Sequence, residues 1–195
     1  MASVIGDMVM SASVWRLPHD GVNLAVLSDC HIHAGGPQFP PVLFERLWGV
    51  DLIVTLGNMG ERSGLDRLQE IAPVMGVCGK DDSEDFRSRR AFLHLTGGGY
   101  DIGCVFDARA AGLAESLDPF VASGDAEAVS RRLFGCPVDI LLHAGAGKPD
   151  EARFGAKGTA LAPGSAALPP EGDDPTFLRL KISSLGVYGQ VIRLA

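Results

Sequence analysis

The sequence lacks long apolar runs, an excess of basic residues and paired cysteines. None of its apolar runs approaches the roughly 18 residues needed to span a membrane. Basic residues are outnumbered 17 to 24 by acidic ones, and a net charge of −7 argues against a nucleic-acid surface, which is normally basic. No basic flank precedes the apolar part of the N-terminus, so we do not expect a signal peptide there. These absences predict a cytoplasmic protein that binds neither nucleic acid nor membranes.

Cysteine is scarce, and no two cysteines form a CxxC pair. The four (Cys30, Cys78, Cys104 and Cys136) lie in or beside apolar runs, which favours reduced, buried core residues over disulfides or a zinc cluster. The hydrophobic fraction of 46% is that of a globular protein, and no internal repeat is present. We therefore expect one domain over residues 1–195, with 1–21 as an N-terminal extension or an extra edge strand.

Buried strands alternate with amphipathic helices along the first 150 residues. Continuous apolar runs predict strands at 23–28, 51–56, 72–79, 101–106 and 139–143. Helical spacing predicts helices at 41–49, which would bury Val42, Leu43, Leu47 and Trp48, and at 63–71 and 124–135, capped by Ser63 and Asp125. After residue 150 come short strands and turns, with an alternating pair at the C-terminus. The pattern is typical of an α/β protein with helices flanking β-sheet.

Polar side chains follow three successive predicted strands. In sheets of this kind, chemistry collects in loops beyond the carboxyl ends of the strands. We therefore expect these side chains to converge. They are Asp29, His31 and His33 after the first strand, Asn58 after the second, and Lys80, Asp81 and Asp82 after the third.

Five segments resemble the motifs of the calcineurin-like metallophosphoesterases, in their small single-domain phosphodiesterase branch. That family carries D-x-H, G-D, G-N-x-D, H-G-H, G-H-T-H and P-G-S in this order. The corresponding segments here are SDCHIH (28–33), TLGN (55–58), GKDD (79–82), HAGAGKP (143–149) and APGSAAL (162–168). The resemblance runs from about residue 22 to the C-terminus. It implies a four-layer α-β-β-α sandwich with a two-metal site between the sheets.

The same resemblance implies that most metal ligands have been replaced. Asp29 and His31 match the ligands of the first metal. Asn58 stands in place of the bridging aspartate, and a neutral amide bridges two cations poorly. Lys80 replaces a metal-binding asparagine, and a protonated amine cannot ligate. The remaining substituted positions, where the family places histidines, are Phe106, Asp107, Gly145 and Gly147.

A reduced set of ligands would remain. This set comprises Asp29, His31, Asn58, Asp82 and His143, and His33 is a further candidate. His143 either faces the site or is a core histidine bonded to the backbone. Such a set would hold one weakly bound divalent ion of manganese, zinc or magnesium. The metallophosphoesterase-fold subunit of retromer also carries asparagine at the G-D position, in TGN, and acts as a scaffold. The Ala- and Gly-rich composition is typical of a bacterial protein.

Three functions are compatible with this pattern. The first is a non-catalytic module that binds a protein partner or a small phosphate-containing ligand. The second is a metal-dependent phosphodiesterase or phosphatase with a reduced site. The third is a phosphate or nucleotide sensor in which Lys80 and the backbone amides of 145–147 hold an anion. Independently, we predict that the Lys80 ammonium acts as a counter-ion for Asp29, Asp82 or Asp107.

Overall fold

Eleven strands and three helices make up the described part of the chain. The computed structural model describes residues 14–82, 90–108, 111–112, 123–145, 147–154 and 158–195. No helix in these ranges is long and apolar enough to cross a membrane. The elements are β1 (Val14–Arg16), β2 (Val22–Leu27), α1 (Pro41–Arg46), β3 (Leu52–Thr55), α2 (Arg62–Gln69), β4 (Val74–Gly76), β5 (Phe92–Gly97), β6 (Tyr100–Val105), α3 (Ser123–Phe134), β7 (Ile140–His143), β8 (Pro149–Phe154), β9 (Gly158–Pro163), β10 (Thr176–Ser183) and β11 (Gly186–Arg193).

The strands form two stacked sheets. Sheet A has six strands in the order β1-β5-β6-β7-β9-β8, and sheet B has five in the order β11-β10-β2-β3-β4. In sheet B, β2, β3 and β4 are parallel, whereas β10 runs antiparallel to both β2 and β11. The carboxyl ends of β2, β3 and β4 therefore meet at one end of sheet B, and the loops that follow them are neighbours.

Three apolar clusters define four layers. The first lies between the sheets and includes Leu24, Leu95 and Leu142. The second packs α1 and α2 on the outer face of sheet B through leucines such as Leu43 and Leu68. The third, around Phe134, packs α3 on the outer face of sheet A. Each fully buried leucine stabilises the fold by about 1.5–3 kcal/mol. The prediction of an α-β-β-α sandwich is confirmed.

The predicted strands are present, two of them shifted by one residue (β2 and β6) and three of them shorter (β3, β4 and β7). The final pair, β10 and β11, is an antiparallel hairpin. Strand β5 was not predicted. The first described residues form β1, which pairs in parallel with β5 at the edge of sheet A. That position agrees with the edge-strand alternative for the N-terminal segment, while residues 1–13 lie outside the described ranges.

Details of the three helices differ from the predictions. Helix α1 ends at Arg46, so Trp48 no longer follows helical spacing and is 82% exposed instead of buried. Helix α2 begins at Arg62 after Glu61, which places Ser63 inside the helix and not at its cap. Helix α3 begins at Ser123, so Asp125 lies within its first turn. The cysteine prediction is half right, because Cys30 and Cys104 are buried whereas Cys78 and Cys136 are only half-buried.

Candidate functional site

The loops after β2 and β3 are joined by both backbone and side chains. The Asp29 N–H donates to the Gly57 carbonyl at 3.1 Å, and the His31 N–H donates to the Asn58 carbonyl at 2.9 Å. Between the side chains, Nδ2 of Asn58 donates to Oδ1 of Asp29 at 3.1 Å. The topology thus brings together Asp29 and Asn58, which are 29 residues apart in the chain.

Backbone strain is concentrated at these two loops. Asp29, His31 and Asn58 have φ of 50°, 49° and 52°, and they are the non-glycine residues with positive φ among those that the structure describes. Aspartate, asparagine and histidine tolerate this region better than other side chains, but such conformations still cost on the order of 1–3 kcal/mol each. Strain of this kind clusters at functional sites, where the surrounding structure enforces it.

The Asp29 carboxylate is buried and surrounded by donors from the protein. It is 8% exposed. Its Oδ1 accepts from Asn58, and its Oδ2 accepts from the Gly147 N–H at 3.2 Å and, more weakly, from the Ser28 hydroxyl at 3.5 Å. The Ser165 hydroxyl donates to the Asp29 carbonyl at 2.7 Å, which anchors the backbone. Hydrogen bonds to the charged form compensate the loss of hydration that burial imposes on a carboxylate.

The Asp82 carboxylate binds backbone amides through both oxygens. Oδ1 accepts from the N–H groups of Met59 and Gly60 at 2.6 and 3.1 Å, and Oδ2 accepts from those of Asn58 and Gly79 at 3.1 and 2.7 Å. Three of these four bonds tie the loop after β4 to the loop after β3, and the fourth, from Gly79, lies within the loop after β4. In this arrangement Asp82 holds the backbone of the site in place and offers little electron density to a cation.

Lys80 does not reach the carboxylates. Its side chain is exposed. Among the described residues it forms no ion pair with Asp29, Asp82 or any other acid. The prediction that Lys80 is a built-in counter-ion is therefore wrong. Donors that were not predicted, the Asn58 amide and the Gly147 N–H, take that role for Asp29.

The side chains of His31 and His33 form no hydrogen bond with Asp29 or Asn58 among the described residues, although the His31 backbone N–H donates to the Asn58 carbonyl. His33 is exposed and His31 half-buried, and both line an open cleft of about 570 Å³ together with Asp81. The Asp81 N–H, however, donates to Oδ1 of Asn58 at 3.0 Å. Asn58 thus uses its amide group in both directions, as a donor to Asp29 and as an acceptor from the loop after β4.

Close backbone contacts fill the space around the substituted positions. The half-buried Phe106 ring packs against the inter-sheet core and against Gly57, where an added Cβ would lie 2.8 Å from the ring. At Gly145 an added Cβ would lie 2.5 Å from the Lys148 carbonyl oxygen. Gly147 is buried with φ of 78°. Asp107 is exposed, and Ala146 lies outside the described residues. These residues bring the loop close to Asp29 without presenting an imidazole.

His143 lies on the outer face of sheet A. Leu142 belongs to the inter-sheet cluster and Leu141 to the α3 cluster, so alternation along β7 places His143 on the α3 side. It is 7% exposed, and its Nδ1 lies 3.3 Å from the Ala144 carbonyl oxygen. Burial lowers the pKa of His143, an effect that Asp150 and Asp107 only partly offset. This placement favours the core-histidine alternative and separates His143 from Asp29.

Comparisons with known proteins support one fold. No family model matches the sequence. A probable metallophosphoesterase of Methanocaldococcus jannaschii is 32% identical over 59 residues, which cover 30% of this chain and 31% of that protein, so the match spans about a third of its length. Vps29 of Cryptosporidium parvum superposes with a TM-score of 0.67 and 23% identity, covering 90% of this chain and 93% of that one.

Two further solved structures agree. Vps29 of Chaetomium thermophilum, in complex with a cyclic peptide, superposes with a TM-score of 0.61 and 19% identity over 88% of this chain and 96% of that one. A predicted phosphoesterase of Streptococcus pneumoniae gives a TM-score of 0.59 and 16% identity over 88% and 89% of the two chains. The chain has the calcineurin-like metallophosphoesterase fold, in a Vps29-like form.

The residues present do not fit the two-metal centre that the metallophosphoesterase fold implies. Divalent cations need several free carboxylate, imidazole or amide oxygen donors. Here the oxygens of Asp29 and Asp82 accept hydrogen bonds from the protein, and glycine stands at 145 and 147. The residues of this site therefore do not support hydrolysis by two metal ions.

Sequence reasoning did not predict the contacts that two contributors make with Asp29. Gly147 acts through its backbone N–H and not through a side chain, and Ser165 anchors the Asp29 backbone from a distant loop. The segment APGSAAL did point to Ser165, since the resemblance included it. The sequence predicted that the backbone amides of 145–147 could hold a bound anion, whereas the Gly147 N–H donates to the Asp29 carboxylate of the chain itself.

Proposed function

We propose that this chain, folded as a single domain, is a non-catalytic binding module that has kept the scaffold of a metallophosphoesterase and lost its chemistry. The observation that carries the proposal is the state of the Asp29 carboxylate. Donors from Asn58 and Gly147 occupy both of its oxygens, so hydrogen bonds within the protein supply the stabilisation that cations would give. On this proposal, the strained backbone at residues 29, 31 and 58 is retained from the metallophosphoesterase scaffold.

A metal-dependent phosphodiesterase is the weaker alternative. Two-metal catalysis needs both ions, because together they orient the attacking oxygen and stabilise the leaving one. Neither Lys80, Gly145 nor Gly147 can donate a side-chain lone pair to a second cation. The local match to a probable metallophosphoesterase favours common ancestry of the fold, and it covers under a third of this chain.

A groove between the open edges of the two sheets is the best candidate binding surface. It has a volume of about 780 Å³, and apolar side chains of β9, β10 and β11 line it, among them Leu161, Leu178 and Val191. The strands β8 and β11 that border it are the edge strands of sheets A and B. Edge strands present unpaired backbone groups to which an extended peptide can add as a further strand.

The rim of this groove favours one kind of occupant. Three acidic residues, Asp139, Asp150 and Glu151, line it together with one basic residue, Arg193, among the side chains that the structure describes. We therefore infer an extended segment of a partner protein that carries an apolar anchor beside a basic residue. The fold is suited to such a ligand, since Vps29 of Chaetomium thermophilum has been crystallised with a cyclic peptide.

The test is a selection of displayed peptides on the purified protein, followed by binding measurements on two matched variants. Val191 lies in the groove and is 41% exposed, whereas Leu185 is 97% exposed in the turn between β10 and β11. Val191→Asp should weaken the selected peptides by at least about tenfold, and Leu185→Asp should leave their affinity unchanged. Peptides that bind both variants as well as the unsubstituted protein would refute the groove as the binding surface.

A further inference from the structure

A second cluster of chemically active side chains lies on the outer face of sheet A, away from Asp29. Nε2 of His94 lies 2.8 Å from Oδ1 of Asp101 and 3.6 Å from Sγ of Cys136. One ligand atom from each of these three residues lies within 4.8 Å of the others. Three donors of different types, nitrogen, oxygen and sulfur, thus converge on one point.

The strand register brings the first two donors together. His94 pairs with Gly103 across β5 and β6, and Thr96 pairs with Asp101, so His94 and Asp101 are diagonal neighbours on one face. Gly103 leaves space opposite His94 for the Phe134 ring, whose centroid lies 6.1 Å from the imidazole. The ring and the sheet bury His94 to 3% exposure.

The third donor sits on a fixed loop at the end of α3. The buried Ser130 hydroxyl donates to the Cys136 carbonyl at 3.1 Å and accepts from the Val138 N–H at 3.0 Å. Asp101 is fixed as well, because its N–H donates to the Asp139 carboxylate at 2.9 Å and its carbonyl accepts from the Asp139 N–H at 2.8 Å. Backbone that is held this firmly is what a preorganised ligand site requires.

A catalytic triad is a poor explanation of this cluster. In a nucleophile–histidine–acid triad, the nucleophile and the acid contact different ring nitrogens. Here Asp101 and Cys136 meet the same nitrogen, Nε2, while Nδ1 is buried with no partner among the described residues. Burial also raises the pKa of the Cys136 thiol, and the neighbouring Asp101 raises it further. The thiol is therefore not activated as a nucleophile.

We propose that His94, Asp101 and Cys136 form a zinc site, with water as the fourth ligand. Zinc accepts this mixture of imidazole, carboxylate and thiolate, and a tetrahedral site would set the ligand atoms about 3.3–3.6 Å apart. The 3.6 Å between Sγ of Cys136 and Nε2 of His94 already matches, and the 2.8 Å between Oδ1 of Asp101 and Nε2 would widen by about half an ångström. Zinc would take the place of the hydrogen on Nε2, and the neutral imidazole would then carry its hydrogen on Nδ1. Asp101 has a side chain 40% exposed, which leaves the fourth position open to solvent.

The surrounding charge favours a cation. The negative charges of Asp101 and Asp139 both lie near the Cys136 sulfur, and the positive charge of Arg131 opposes their effect. The Arg131 guanidinium pairs with Glu127 at 2.7 Å, which offsets part of its repulsion. Zinc binding would convert the Cys136 thiol to a thiolate with release of its proton.

Cobalt titration gives the sharpest test, because a cysteine thiolate bound to Co²⁺ produces a sulfur-to-metal charge-transfer absorption. The unsubstituted protein should bind one cobalt ion with this absorption, and zinc should displace it. Cys136→Ser should abolish the absorption and weaken zinc binding by about 100-fold or more, since even indirect changes around a metal ligand cost 10–100-fold. Cys78→Ser, at the other half-buried cysteine, is the matched control and should retain both.

Other outcomes would overturn the proposal. Absence of the absorption in the unsubstituted protein would do so, and so would its survival in Cys136→Ser or its loss in Cys78→Ser. Asp101→Asn keeps the shape of the side chain, which is 40% exposed, and it should weaken zinc affinity. Asp29→Asn should leave zinc affinity and the cobalt absorption unchanged, which separates this site from the loops after β2 and β3.

Discussion

Nδ2 of Asn58 donates a hydrogen bond to Oδ1 of Asp29 at 3.1 Å, in a position where a bridging carboxylate would face the same oxygen. Asparagine and aspartate differ at this position by a nitrogen in place of an oxygen. An amide nitrogen stabilises a buried carboxylate by itself, whereas a second carboxylate would require either a cation or a proton shared between the two. The loops after β2 and β3 are thus held together by hydrogen bonds of the backbone and of the Asn58 side chain.

Asn58→Asp should destabilise the metal-free protein. It would set two carboxylates about 3 Å apart in a buried position, which raises the pKa of one of them. A raised pKa in the folded state makes the stability loss largest at neutral pH and smaller as the pH falls toward 4. Chemical denaturation at pH 7 and pH 4.5 should show a loss of about 2–4 kcal/mol at the higher pH, with partial recovery at the lower.

The matched control is Asn58→Gly. Glycine accepts the φ of 52° and removes both side-chain hydrogen bonds without adding a charge. Its stability loss should depend on pH less than that of Asn58→Asp, because no second carboxylate is introduced. If Asn58→Asp behaves like Asn58→Gly at both pH values, the close approach of residues 29 and 58 is absent in solution.

Asp82→Asn should cost more stability than a surface substitution. The Asp82 carboxylate accepts four backbone N–H bonds, and an amide would turn a donor toward two of them. We expect a loss of about 2–4 kcal/mol in the free energy of unfolding, measured by urea denaturation. Asp81→Asn, at the neighbouring exposed side chain, should change stability by less than about 0.5 kcal/mol. Equal effects of the two variants would contradict the role given to Asp82.

His143 should contribute a stability loss at mildly acid pH. Burial lowers the pKa of His143 in the folded state below its ordinary value of 6.5. The unfolded chain therefore binds a proton that the folded one does not, and stability falls as the pH drops below about 6.5. His143→Gln should remove this component. Between pH 7.5 and pH 5.5 the variant should therefore lose less unfolding free energy than the unsubstituted protein.

The control for that experiment is His33→Gln, at an exposed histidine. Its unfolding free energy should follow the pH dependence of the unsubstituted protein. Parallel pH curves for His143→Gln and the unsubstituted protein would show that His143 is solvated in solution and not packed under α3.

The sequence predicted β-sheet flanked by helices through its continuous apolar runs, and it predicted the four-layer sandwich through its resemblance to the metallophosphoesterase motifs. It was insufficient for the orientation of long side chains. Lys80 occupies a position inside the motif, yet its flexible chain extends to solvent, where an ammonium keeps its hydration. Trp48 was misplaced for a related reason, since the end of α1 at Arg46 could not be read from spacing alone.

The sequence also could not predict clusters whose residues come from elements far apart in the chain. His94 and Cys136 are 42 residues apart and lie on an unpredicted strand and on the turn after a helix. Only the register of β5 against β6 and the packing of α3 on that sheet bring them together. By contrast, Asp29 and Asn58 each follow a buried parallel strand, so their convergence follows from topology.

The most direct test of the central claim is hydrolysis of bis-p-nitrophenyl phosphate by the purified protein with manganese. We predict no release of nitrophenol above the buffer blank, because Asp29 is already bound by Asn58 and Gly147 and no ligand set for a second ion is present among the described residues. Asp29→Ala should give the same blank rate. Manganese-dependent hydrolysis that disappears in Asp29→Ala would contradict the non-catalytic function and establish the phosphodiesterase alternative.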